Sequence, residues 1–223
     1  MVDNFEQIRS LLKFENDGDC YYVQLLRRQS DDPHTNGKAD PRYHGNMHSR
    51  SVKDYLIPSL EYFDKVKELV QSGAVGHVVN VQIHFAVPPR ELDYNSTNLP
   101  WRVQPDIAGG GYFYDLAPHQ LDLLQTMFGP ITEAEGFAAN RGGLYKTEDS
   151  VSACFKFANG LPGSGSWCFV AHESAKDDRI DIVGDKGSLT FSVFTYQPIV
   201  LQNEVGRQTF TVPNPTYVQL PLI

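Results

Sequence analysis

Three ionisable residues, Asp115, His119 and Asp122, are spaced so that one helix would carry them on the same face. At about 100° per residue they fall within roughly 60° of one another. An imidazole between two carboxylates suits proton transfer near neutral pH, with histidine as the base and a carboxylate holding its tautomer. Each residue also has a plainer interpretation: Asp115 as a helix cap, His119 as a half-buried packing residue and Asp122 as a solvated one.

The segment that must position this cluster begins with three consecutive glycines, Gly109, Gly110 and Gly111. Glycine allows positive φ angles and a close approach of the backbone to another group. We expect a helix to follow, with Asp115 as its N-cap and Pro118 in its first turn. The predicted apolar stripe of this helix consists of Leu116, Leu123, Leu124 and Met127, and Gly129-Pro130 ends it.

Trp101 and Arg102 stand shortly before the glycines. They are candidates for the wall of a cleft, where the indole would stack on a sugar-like ring and the guanidinium would bind an oxygen. A packing tryptophan beside a surface arginine explains the pair equally well. The candidate substrate-binding residues are therefore Trp101, Arg102 and Asp122, beside the candidate catalytic pair Asp115 and His119.

Composition excludes several classes of function. The formal charge of −8 on 223 residues leaves no basic surface for nucleic acid. The three cysteines are odd in number and lack metal-ligand spacing, which indicates reduced thiols in a cytoplasmic protein. No apolar run is long enough to span a membrane. His34, His44 and His48 match no defined metal site, so we expect no metal.

The remaining pattern predicts an α+β fold: an open, largely antiparallel β-sheet with helices packed on one face. Residues 1–57 form a separate N-terminal segment that is partly loop or disordered, and residues 58–223 form the domain. A first helix follows Pro58 and ends at Ser72-Gly73. The predicted strands are 77–86, 131–138, 151–158, 163–171, 179–183, 188–194, 199–202 and 208–212.

Helices on one side would leave the second face of the sheet open. Residues 167–170, Trp-Cys-Phe-Val, are apolar at both odd and even positions, so this face would be buried against a second copy of the chain. We therefore expect a homo-oligomer. A protein that assembles in this way without catalysis, as a sugar-binding or oligomerisation module, is the alternative to an enzyme.

Residues 65–223 resemble a known family. The stretches that carry the resemblance are K-V-K-E-L-V-Q-S-G-A-V-G-H-V-V-N-V, L-P-W-R-V-Q-P-D-I-A-G-G-G-Y-F-Y-D-L-A-P-H-Q-L-D and G-S-G-S-W-C-F-V-A. They are similar to the second domain of the Gfo/Idh/MocA oxidoreductases, the glucose–fructose oxidoreductase and inositol dehydrogenase group. The resemblance implies a sugar or polyol substrate and an NAD or NADP cofactor in the complete enzyme. It also matches Asp115 and His119 to the family's catalytic Asp and His, with His119 exchanging the proton of the substrate hydroxyl.

The sequence departs from that family in three respects. A dinucleotide fold needs a Gly-x-Gly-x-x-Gly turn between a strand and a helix, and residues 1–60 contain none. The family's Glu-Lys-Pro segment, whose lysine completes the catalytic group, is also missing. Family members usually continue past the final Pro-Leu-Ile with a terminal helix, so we expect a substrate domain that ends early, as a fragment or a natural remnant. No tight NAD(P) binding is expected of these 223 residues alone.

Overall fold

A computed structural model describes residues 60–213 of the chain. The predictions for residues 1–57, including the three histidines at 34, 44 and 48, lie outside the described residues. The predicted early end at residue 223 also lies outside them.

Eight strands within the described residues form one sheet, at the places where the alternation of apolar and polar residues predicts them. They are β1 (Val78–Ala86), β2 (Ile131–Ala139), β3 (Ser150–Phe157), β4 (Pro162–Cys168), β5 (Asp177–Gly184), β6 (Gly187–Phe191), β7 (Ile199–Asn203) and β8 (Gly206–Phe210). Their spatial order is β2-β3-β4-β1-β5-β6-β7-β8. Only the central pair, β1 and β4, is parallel among these neighbours; the others are antiparallel. The predicted largely antiparallel sheet is confirmed.

The helices are α1 (Glu61–Gln71), the single-turn α2 (Pro105–Ala108) and α3 (Tyr112–Phe128). Helix α1 covers the β6 side of the sheet, where the ring centroids of Phe63 and Phe191 are 6.4 Å apart. Helix α3 covers β3 and β4, with Phe113 edge-on to Trp167 at 5.0 Å. Because their large buried side chains pack on the same face, the prediction of helices on one side of the sheet is confirmed.

Helix α3 begins four residues earlier than predicted. Its N-cap is Gly111, Asp115 is its fourth residue, and Pro118 lies in its interior. The prediction that Asp115 caps the helix is wrong. The physical reason is the aromatic run before Asp115: Tyr112, Phe113 and Tyr114 are at most 9% exposed, and their burial favours helix here although Pro118 removes one intrahelical hydrogen bond.

The glycine triplet forms the tight turn that its sequence predicts. Gly109 ends α2 with φ of +78°, a left-handed conformation that glycine adopts without steric cost. A Cβ on Gly111 would lie 2.6 Å from the carbonyl oxygen of Glu148, closer than real Cβ atoms approach. The triplet thus brings the start of α3 directly against the segment between β2 and β3.

The open face of the sheet is polar where the sequence predicts apolar residues. Strand β4 ends at Cys168, so Phe169 and Val170 lie beyond it and do not extend the strand's surface. Within β4, Trp167 is buried on the helix side and Cys168 is half-buried on the other. The open face of the central strands carries Gln82, His84, Ser152, Cys154, Lys156, Ser164, Ser166, Arg179, Asp181 and Thr190. The apolar second face inferred from residues 167–170 is therefore wrong.

A buried hydrogen bond ties α3 to the centre of the sheet. The Trp167 indole N–H donates to the Gln120 side-chain oxygen at 2.7 Å, and the two residues are 1% and 0% exposed. The Gln120 amide nitrogen is buried without a hydrogen-bond partner. This hydrogen bond adds a directional polar contact to the apolar packing of α3 on the sheet.

We predict that this contact behaves as a coupled pair in unfolding. Trp167→Phe leaves the Gln120 oxygen without a donor, and Gln120→Met leaves the indole N–H without an acceptor. Each change should lower the free energy of unfolding by about 1–3 kcal/mol or more, the cost of an unsatisfied buried group. The double variant should lose less than the sum of the two, measured by urea denaturation. Strict additivity would show that the hydrogen bond does not couple the two residues.

Candidate functional site

Three of the predicted site residues are in direct contact. The Arg102 Nε–H donates to Asp115 Oδ2 at 2.6 Å, and the Arg102 guanidinium carbon lies 4.5 Å from the centroid of the Trp101 ring. We call Trp101, Arg102 and Asp115 the Asp115 cluster. The Asp115 side chain is 15% exposed and that of Arg102 is 36% exposed, so the ion pair is partly shielded from water. Both the cleft and the packing interpretations of Trp101 and Arg102 are compatible with this arrangement.

The backbone before α2 holds this cluster in place. Trp101–Val103 is a turn of 3-10 helix that starts after Pro100, and Val103, 1% exposed, anchors it in the core. The Gln104 side-chain amide donates to the Leu99 carbonyl at 2.7 Å and closes the segment. These contacts present Trp101 and Arg102 to α3 on a short, well-bonded piece of chain.

His119 and Asp122 extend the site along α3. Since α3 is a continuous helix, His119 lies about 6 Å further along its axis than Asp115, and Asp122 follows one turn later on the same face. Both side chains are half-buried. The His119 ring stands edge-on to Phe194, with centroids 6.1 Å apart. The helix therefore presents the predicted carboxylate, imidazole and carboxylate in the predicted order.

Sequence analysis missed the carboxylate that positions Phe194. Asp178 Oδ2 accepts the backbone N–H groups of Phe194 at 2.7 Å and of Thr195 at 2.8 Å. This capped turn replaces the last residues of the strand predicted at 188–194. An aspartate before a distant turn gives no signal in the sequence, because the contact spans 16 residues.

A second buried network, also missed, joins the loop after β1 to the first residue of α3. Asp93, 1% exposed, accepts the Tyr112 hydroxyl at 2.7 Å and the Arg90 backbone N–H at 2.7 Å. The Arg90 guanidinium carbon lies 4.6 Å from the centre of the Tyr112 ring. Burial and the bond to Asp93 both raise the pKa of Tyr112, so its hydroxyl is a neutral donor.

Glu148 supplies the carboxylate at the start of α3. Its Oε1 accepts the Gly111 N–H at 3.0 Å, which satisfies a backbone group that no side chain of α3 itself caps. Burial raises the pKa of the Glu148 carboxyl above its ordinary value of 4.5, the Gly111 N–H opposes this shift, and the charge of Asp149 adds to it. The Glu148 carboxylate thus caps the start of α3 from a buried position that disfavours its negative charge.

The described residues do not fit a dinucleotide. The glycine triplet follows the short helix α2, whereas a dinucleotide turn follows a strand. The Gly111 N–H, which a pyrophosphate would need, is bonded to Glu148, and Asp115 adds negative charge one turn later. No described strand–turn–helix unit offers an alternative, so residues 60–213 provide no place for the cofactor's pyrophosphate.

Metal ligands, a surface groove and membrane-spanning helices are the remaining features to consider in residues 60–213. No group of three His, Cys, Asp or Glu side chains in residues 60–213 could hold a metal ion. A shallow, open groove of about 630 Å³ lies elsewhere, between α1 and the end of β8, and is lined by residues such as Glu61, Glu68 and Phe210. No helix in the described part of the chain is long and apolar enough to cross a bilayer.

Comparison with known proteins places the chain in a family. The GFO/IDH/MocA C-terminal domain profile matches residues 63–190. Oxidoreductase P35 from Formosa agariphila is 34% identical over 164 residues, which are 74% of this chain and 50% of that protein. Levoglucosan dehydrogenase from Pseudarthrobacter phenanthrenivorans is 26% identical over 149 residues, 56% of this chain and 38% of that protein. The chain thus spans half or less of the length of these relatives.

Solved structures show the same fold. An oxidoreductase from Thermotoga maritima aligns with a TM-score of 0.62 and 26% identity, covering 77% of this chain and 49% of that one. Levoglucosan dehydrogenase in complex with NADH and levoglucosan aligns with a TM-score of 0.60 and 23% identity, covering 71% of this chain and 45% of that one. These matches define an oxidoreductase C-terminal domain. The chain belongs to the GFO/IDH/MocA family.

The raised pKa of Glu148 makes its contribution to the free energy of unfolding depend on pH. Its pKa is raised in the folded state, so the folded protein takes up this proton before the unfolded chain does. This residue therefore adds stability as pH falls through the raised pKa toward 4.5, and costs stability at higher pH. Glu148→Gln keeps an oxygen for the Gly111 N–H and cannot ionise. We expect the variant to be more stable than wild type at pH 8, with an advantage that shrinks as pH falls toward 4.5.

Urea unfolding of both proteins between pH 4.5 and 8 measures this difference, and other carboxylates cancel because both proteins share them. A difference that is constant across the range would contradict the assignment of a raised pKa to Glu148.

Proposed function

We propose that this chain is the substrate-binding and catalytic domain of an NAD(P)-dependent sugar or polyol oxidoreductase. The observation that carries the proposal is the face of α3, where the Arg102-bound Asp115 lies one turn before His119. Membership of the family gives the reaction class, and the site gives the residues that would perform it.

In the proposed reaction a carbinol becomes a carbonyl. His119 accepts the proton of the substrate hydroxyl as general base, and Asp115 orients the imidazole and stabilises its charged form. A nicotinamide coenzyme, held elsewhere in the complete protein, would supply the acceptor for the hydride that leaves the same carbon. Trp101 offers an indole face to the apolar side of a sugar ring, and Asp122 accepts a second hydroxyl. Arg102 belongs to this site through its bond to Asp115.

The relatives support the substrate class. One is named levoglucosan dehydrogenase, and a solved structure of that name contains NADH and levoglucosan. An anhydrosugar presents hydroxyls on an otherwise apolar ring, which suits an indole beside carboxylates. We therefore assign a cyclic sugar or polyol to the site, with either NAD or NADP as cofactor of the whole protein.

Removing the imidazole tests the role of His119. In the complete polypeptide, His119→Ala should lower turnover of an oxidised polyol by roughly 10²–10⁴, the usual effect of losing a general base. His77→Ala is the matched control, because His77 is exposed and its recorded hydrogen bond to Asp185 uses the backbone N–H. Turnover is followed by NAD(P)H absorbance. A His119→Ala enzyme within a few-fold of wild type would remove His119 from this role.

Cofactor affinity forms a separate prediction. Because residues 60–213 offer no place for a pyrophosphate, we expect the 223-residue chain to bind NAD⁺ and NADP⁺ only weakly in isothermal titration. A dissociation constant in the low micromolar range, worth roughly −8 kcal/mol, would place a dinucleotide site where the described residues do not provide one.

The alternative is a sugar-binding or oligomerisation module without catalysis. The observation that supports self-association is Phe137, an aromatic side chain that is 80% exposed on the open sheet face. Size-exclusion chromatography with light scattering should give a dimer or larger species. A monomer at all concentrations would count against this face as an interface.

A further inference from the structure

We propose that Arg102 is a positioning residue, which acts on the reaction through Asp115. The inference rests on the proposed function, because it concerns how Asp115 supports His119. It assigns Arg102 a role different from that of oxygen ligand, which the sequence suggests.

The first argument is the geometry of the ion pair. The bond from Arg102 Nε to Asp115 Oδ2 measures 2.6 Å, a short charge-assisted bond. Nε lies on the inner edge of the guanidinium, next to the side-chain stem, so its use turns the group toward α3. The terminal nitrogens of Arg102 take no part in this bond, so a kinetic experiment must separate a role through Asp115 from a direct contact with substrate.

The second argument is that Arg102 is held on two sides. Its guanidinium carbon lies 4.5 Å from the Trp101 ring centre, within the range of a cation–π contact. Its backbone belongs to the short helix that buried Val103 anchors. A side chain stacked and anchored in this way loses little entropy when it binds Asp115, which suits a fixed support.

The third argument is the setting of Asp115. Its side chain is 15% exposed, so its negative charge is largely removed from water and needs a compensating partner. Arg102 supplies the positive charge and donates a hydrogen bond to the carboxylate. Because His119 follows one helical turn later, a fixed Asp115 is a precondition for orienting the imidazole.

A kinetic double-mutant cycle in the complete polypeptide tests the proposal, with Arg102→Gln, Asp115→Asn and the double variant. If Arg102 acts through Asp115, Arg102→Gln should lower kcat on the order of tenfold and leave KM for the polyol nearly unchanged. In the Asp115→Asn background the same change should have no further effect on kcat. Arg102→Lys, which keeps the charge without the fixed fork, should recover part of the loss.

Lys65→Gln is the matched control, because Lys65 forms an ion pair with Glu68 on α1 at 2.7 Å, on a different helix from His119. It should leave kcat and KM unchanged. Circular dichroism verifies that each variant is folded, and Arg102→Lys replaces Arg102→Gln in the cycle if the latter is not.

The outcomes separate the inference from the function on which it rests. An active wild type in which Arg102→Gln raises KM, or adds fully to Asp115→Asn, would overturn the positioning role alone. A wild type without turnover on any sugar or polyol, with either cofactor, would overturn the proposed function and the positioning role together.

Discussion

The burial of helix α3 is the constraint on which the rest of the structure depends. Tyr112, Phe113, Ala117, Leu121 and Leu124 are nearly inaccessible to water, so the helix is fixed in rotation as well as in position. The Gln120–Trp167 hydrogen bond adds a directional contact to this packing. A helix held so firmly has one face left for chemistry, and that face carries Asp115, His119 and Asp122.

The supports of α3 come from three separate parts of the chain. Glu148 caps its first N–H, Asp93 binds the hydroxyl of its first residue, and Arg102 binds its first carboxylate. All three contacts lie between the N-cap Gly111 and Asp115, the fourth residue of the helix. Charged and hydrogen-bonded partners thus fix the start of α3, as the proposed proton-transfer site would require.

The local pattern of apolar, polar and turn residues predicts most of the fold. Alternating residues such as Val81, Ile83 and Phe85 place β1 correctly, and the Ser72-Gly73 stop places the end of α1. The start of α3 was predicted wrongly, because Asp115 and Pro118 imitate a helix start while the aromatic burial that extends the helix is a tertiary effect. The same limit applies to the site: helical spacing groups Asp115, His119 and Asp122, but the bond between Arg102 and Asp115 depends on how two elements pack. Glu148, 37 residues from Gly111, could not be found from sequence spacing.

The central claim is that sugars or polyols bind at the Asp115 cluster, and the two tryptophans of the chain allow a direct measurement. Trp101 is half-buried in the cluster, whereas Trp167 is buried against Gln120. In ¹⁵N-labelled protein each indole N–H gives its own NMR signal, and a panel of anhydrosugars, monosaccharides and cyclic polyols is titrated in turn. If sugars or polyols bind at the Asp115 cluster, at least one ligand shifts the Trp101 signal saturably while the Trp167 signal stays in place. A panel that leaves Trp101 unmoved, or that shifts other parts of the domain instead, would contradict it.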